Sequence, residues 1–185
     1  MKPMKIPALF SLFVVMVLSA CGKKDNPIPE ATNSSYEFKF LTGPLAGREY
    51  KAGGLSPEQA IALFVQEPGT NNKGISLQLL HGDFTFASAL ALDPSDRVLP
   101  FALDGAETGS QAALSLKDGG TQYVFGSVGG NISISNLKRQ SAGSNPNGGL
   151  ATFELRFENA TFYDAVAEGE NIEVEVKVSG KIIIK

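Results

Sequence analysis

The chain carries one histidine, His81, and one cysteine, Cys21, so the chemistry open to it is narrow. A histidine-based triad has one candidate base. Its flanks, Leu80 before and Gly82-Asp83 after, read as a strand end running into a turn, which makes His81 a surface turn residue rather than a catalytic base. A zinc site would have to rest mainly on carboxylates, an uncommon donor set. Asp93, Asp96, Asp104 and Asp118 all fall in turn-forming stretches. They are candidate ligands for Ca²⁺, which takes oxygen donors from loops, although no D-x-D-x-D-G run accompanies them. Aspartate is also common in turns because its carboxylate accepts nearby backbone amides. Set across a cleft, the same residues are what a two-carboxylate hydrolase would use. The leading expectation is no catalytic site, no metal and no cofactor, with Ca²⁺ at these aspartates and a loop-aspartate hydrolase as alternatives.

Other patterns reduce to structure. Ser135-Asn136-Leu137-Lys138 has the letters S-x-x-K, but that chemistry needs the serine to open a helix with the lysine one turn on, and here the segment continues a strand. Glu173 and Glu175 share the solvated face of one strand. Phe38, Phe40, Phe84, Phe86, Phe153 and Phe157 occupy inward positions, and there is no tryptophan to offer a flat platform to sugars.

The N-terminus decides the address. Lys2 and Lys5 precede a run from Ile6 to Leu18 without charge. Those thirteen residues would reach about 20 Å as a helix, against roughly 30 Å for a hydrocarbon core, so the segment reads as an export signal rather than a membrane span. Small residues at Ser19 and Ala20 leave the backbone beside Cys21 open to a peptidase. Leu18-Ser19-Ala20-Cys21 resembles the lipobox of bacterial lipoproteins. The resemblance covers only this leader. It implies cleavage between Ala20 and Cys21, acylation of the Cys21 sulfur and usually of its amine with chains such as palmitate, and a membrane-lipid anchor. Several acyl chains hold far more firmly than one, at about 0.8 kcal/mol per buried methylene. In the sorting rule of that family an aspartate after the cysteine retains the protein at the inner membrane. Gly22 stands there, which implies the outer membrane.

Removing residues 1–20 takes away Lys2 and Lys5 and leaves 14 basic against 19 acidic side chains, a net charge of −5. An acidic chain without a basic stripe has no electrostatic footprint for nucleic acid. With Cys21 acylated no thiol remains for a disulfide, so an exported domain must be held by its core. Residues 21–35 are polar and proline-containing and read as a tether that spans on the order of 20 Å. Residues 36–185 are long enough for one domain with a core of its own.

In that domain the hydrophobic period is two. Tyr36, Phe38 and Phe40 alternate with Glu37 and Lys39, and Phe84, Phe86, Leu90 and Leu92 share one parity. Short strands are expected at 48–52, 98–103, 112–116, 123–125 and 132–137, ended by Gly53-Gly54, Asp118-Gly119-Gly120 and Gly129-Gly130, with 139–149 as an exposed loop. Ser56-Pro57-Glu58-Gln59 has the letters of a helix N-terminus. The apolar run 60–65, then a turn and alternating Ile75, Leu77 and Leu79, reads better as a hairpin after at most one helical turn. At the C-terminus, Phe153, Leu155 and Phe157 should pair antiparallel with Val176, Val178 and Ile182, with Phe157 facing Val178, Glu158 facing Lys177, Glu154 facing Lys181, and 164–171 as the loop. The fold expected is an all-β antiparallel sandwich of about eight to ten short strands, or alternatively a lipocalin-like barrel whose inward aromatics line a ligand cavity. A protein or small-molecule partner is not specified by any motif.

Overall fold

The computed structural model describes residues 34–103, 109–143, 145–164 and 175–185. The expected leader with Ala20 and Cys21, Asp104, Glu173 and residues 165–171 of the predicted last loop lie outside them. Eleven strands follow in order: β1 Ser34–Phe40, β2 Glu49–Leu55, β3 Ala60–Gln66, β4 Lys73–His81, β5 Phe84–Leu92, β6 Phe101–Ala102, β7 Gln111–Asp118, β8 Thr121–Gly130, β9 Ile132–Ala142, β10 Asn145–Asp164 and β11 Glu175–Ile184. No helix occurs among the described residues. The Ser56 signal gives one turn: Ser56 O accepts the Gln59 and Ala60 amides, and Gln59 Oε1 accepts the Ser56 N–H at 3.1 Å before β3 begins.

All eleven strands belong to one antiparallel sheet, ordered β2-β1-β11-β10-β3-β4-β5-β7-β8-β6, with β9 on β10. The long β10 pairs with β3 through residues 148–150 and with β8 through 161–164. The sheet therefore folds over on itself, and its inner faces meet in one core, consistent with the expected sandwich. β1 begins at Ser34, inside the stretch read as tether, and it pairs with β11 so that the first and last described strands lie side by side.

Period two is realised on the core strands: Tyr36, Phe38 and Phe40 on β1, Phe84, Phe86 and Leu90 on β5, and Val176, Val178, Ile182 and Ile184 on β11 are all buried. The aromatic residues pack on one another. Phe38 lies 5.1 Å from both Phe84 and Phe86 and 5.7 Å from Phe157, and Phe101 lies 5.5 Å from Phe157. Ring contacts of this kind add roughly 0.5–1.5 kcal/mol each beyond area burial. Filled this way, the described interior gives no support to the cavity of the lipocalin-like alternative.

Several expectations are corrected. The segment 139–149 is not a loop: β9 runs to Ala142 and β10 starts at Asn145. Its polar composition reflects exposed strands, which need no apolar side chain to pair. A Cβ on Gly149 would come within 2.0 Å of Gln140 O, so the glycine is there to let two backbones approach. Gly53-Gly54 does not end β2, because Gly54 adopts φ +69° and the ladder to β1 shifts there, a bulge that carries the strand on to buried Leu55. Gly129-Gly130 likewise stays within β8. The C-terminal hairpin forms, but Phe157 faces Gly180, and Val178 faces Ala160 beyond a bulge. A Cβ on Gly180 would sit 2.3 Å from the Phe157 ring, so the ring covers a position only glycine can supply. Glu154 still reaches Lys181 diagonally at 3.7 Å, while Lys177 pairs with Glu175 at 2.7 Å rather than with Glu158.

Candidate functional site

His81 closes β4 opposite Phe84, across the turn Gly82-Asp83. It is half-buried rather than a free surface residue. Its Nδ1 lies 3.2 Å from Tyr36 Oη on β1, and the two rings meet edge to face at 6.0 Å. Tyr36 in turn stacks on Phe84 at 4.4 Å. Burial pushes the Tyr36 phenol above its ordinary 10.0. Among the described residues no carboxylate pairs with the His81 ring, so the geometry ties β1 to the β4–β5 hairpin and does not assemble a triad.

Among the described residues the turn aspartates do not gather as a metal site would require. Asp93 accepts the Ser95 and Arg97 amides at 2.8 and 2.9 Å and pairs with Arg97 Nε at 2.7 Å. The Arg97 backbone N–H is the main reason its carboxyl is held below the ordinary 3.8. Asp96, at φ 63°, pairs with Lys73 and, at 2.6 Å, with Arg139. The hydrogen bond from Lys73 is the largest cause of its lowered carboxyl. Arg139 lies over the Phe64 ring at 3.9 Å, so this ion cluster closes one end of the core where β3, β4, β9 and the 93–97 turn meet. Asp118, at the end of β7, pairs with Arg48 at 3.3 Å, and burial followed by this carboxylate raises the Tyr50 phenol. Asp104 lies outside the described residues. Among those described no three His, Cys, Asp or Glu side chains gather as a metal would require.

Ser135 and Lys138 lie exposed on strand β9, with Asn136 between them at φ 58°. That is not the helical start their S-x-x-K letters would need. A depression of about 440 Å³ opens over the outer face of β1. Glu37 occupies its middle, with Lys51 of β2 and Lys181 of β11 opposite it on either side, while Gly53 leaves the floor beside Ser35 without a side chain. Such a surface can exchange hydrogen bonds and charge with a polar molecule. Sequence reasoning missed both the Tyr36–His81 bond and the Lys73–Asp96–Arg139 cluster, because their members stand on strands whose neighbours are set by the fold alone. No known protein family, curated protein or solved structure matches the chain.

Proposed function

We propose that the chain is a lipid-anchored lipoprotein of the bacterial envelope whose β domain is a non-catalytic binding or structural module. The observation that carries this reading is Leu18-Ser19-Ala20-Cys21 behind a charged and then apolar leader, followed within a short polar stretch by a domain whose first strand starts at Ser34. Acylated Cys21 would hold the domain at the membrane, and Gly22 after it favours the outer membrane. In support of a non-catalytic module, His81, Asp93, Asp96 and Asp118 are each engaged by a structural partner. The depression around Glu37 is the surface on which a small polar ligand would rest.

Cys21→Ser with fractionation tests the anchor. The native chain should sediment with membranes and float with outer-membrane markers in a density gradient, and the variant should not be cleaved and acylated. A Cys21→Ser protein that is processed and membrane-bound like the native one, or a native product whose thiol is bare by mass spectrometry, overturns the proposal.

A further inference from the structure

The start of β1 is clamped on both sides. Ser34 is fully buried and lies opposite Leu55 of β2, and its Oγ accepts the Lys185 N–H at 3.1 Å just past the end of β11. Two turns meet the same corner of the domain. The Ser56–Gln59 turn follows directly on Leu55, and the Leu80 N–H bonds Gln59 O at 2.7 Å. His81, bonded to Tyr36, leads into the exposed Gly82-Asp83 turn. Leu80 is a large apolar side chain left 41 % exposed there, and Lys185, Glu58 and Asp83 are exposed at the same corner. Traced back from His81, β4 leads away for nine residues at about 3.3 Å each, so the 67–72 and 93–97 turns at its other end lie roughly 26 Å off.

We infer that this corner is the surface of the domain held against phospholipid, with Leu80 turned to the headgroup layer; the inference rests on the lipid anchor at Cys21 proposed above. Chain length decides it. Ser34 is thirteen residues after Cys21, so the two are at most about 45 Å apart at full extension and about 20 Å apart as a coil. A domain of the size of residues 34–185 is roughly 40 Å across. Bringing its opposite end to the bilayer would lift Ser34 about that far and stretch the connection almost to its limit, which removes nearly all of its conformational freedom. With the corner facing the lipid, the same thirteen residues can stay coiled. Charge does not override this, because Lys185 favours an anionic surface while Glu58 and Asp83 oppose it. The attachment point and the apolar Leu80 therefore set the contact. The 67–72 and 93–97 turns, with the Lys73–Asp96–Arg139 cluster, then project away from the membrane.

The test uses the full acylated chain in vesicles of phosphatidylethanolamine and phosphatidylglycerol that carry a nitroxide on a fraction of the headgroups. With the Cys21 sulfur acylated, an introduced cysteine is the thiol that takes a fluorophore, and the parent chain gives the baseline. Leu80→Cys and Asp83→Cys mark the corner, while Asn71→Cys and Ser95→Cys, both at exposed positions, mark the opposite end. Flotation of each sample with the vesicles reports the anchor independently, and an unchanged circular dichroism spectrum reports the fold. Labels at 80 and 83 should be quenched at least about twofold more than labels at 71 and 95. Inserting about 25 glycine and serine residues after Glu30 should even out the two pairs, because the longer coil approaches the width of the domain. Floating chains quenched equally at both ends or more strongly at 71 and 95, or a contrast that the longer connection leaves intact, overturn the inference while the anchor stands. Chains that do not float overturn the anchor, and this inference with it.

Discussion

Asp96 occupies a left-handed turn position at φ 63° and joins two cations that come from different strands, Lys73 of β4 and Arg139 of β9. Its side chain is 42 % exposed, so solvent screens the cluster and its contribution should stay at about 1 kcal/mol or below. Asp96→Asn should lower stability by that amount at neutral pH. The folded carboxyl lies below the ordinary 3.8, so the stabilisation is fully present above that value and is lost as pH falls through the lower folded one. Urea melts of Asp96→Asn and the native protein should therefore differ at neutral pH and converge as the pH drops well below 3.8, and a constant gap would show that charge is not the cause. Ser88 is the opposite case: it faces the core between Phe86 and Leu90, and its Oγ is buried without a partner. Ser88→Ala should be neutral or stabilising by up to about 1 kcal/mol, because an unpaired hydroxyl leaves the interior. Ser127 is also buried but accepts the Ala112 N–H at 2.8 Å, so Ser127→Ala should cost roughly 1–3 kcal/mol. If the two alanine variants melt alike, the hydrogen-bond argument fails.

At the scale of elements, alternation told which side faces inward on β1, β3, β4, β5, β7 and β11, because one buried face leaves no other solution. It could not tell how far strands slide, since a shift by two preserves every inward residue. The C-terminal hairpin shows the consequence: the charge pairs pointed to Phe157 facing Val178, whereas the ring lies over Gly180, and a bulge ahead of Ala160 takes up the extra length. Surface ion pairs contribute too little to set a register against an aromatic ring that fits over a missing Cβ. Gly180→Ala should accordingly destabilise by about 1–3 kcal/mol through overpacking, and pairing Phe157→Leu with it should recover part of the loss. Thermal melts of the single and double variants check this, and additive losses would mean that the ring does not rest on the glycine. The 139–149 hairpin was hidden for a different reason: exposed strands carry the polar composition of loops, so the pairing of Gly149 between Ser141 and Phe64 left no hydrophobic trace.

For the molecule as a whole, β11 is held between β1 and β10, and Ile182 and Ile184 are buried at the very end of the chain. Removing residues 182–185 exposes Phe153 and Leu155 on one side and Tyr36 on the other. Because Leu- or Ile-to-Ala truncations alone cost about 2–5 kcal/mol each, against a total of about 5–15, the shortened protein should fail to fold, read as loss of cooperative melting. A cooperative transition at the native temperature would show that closure between first and last strands is dispensable.

The amino-acid pattern by itself determined the all-β class and most of the inward residues, and it supplies the charged and then apolar stretch ending at Cys21 on which the proposed anchor rests, because charge, length and a period of two are local quantities. Which strands neighbour one another, where bulges fall, and what His81 and Asp96 bond to were decided by the tertiary structure. Those relations join residues far apart in the chain, and backbone closure, glycine space and ring packing select them only once the sheet has folded over.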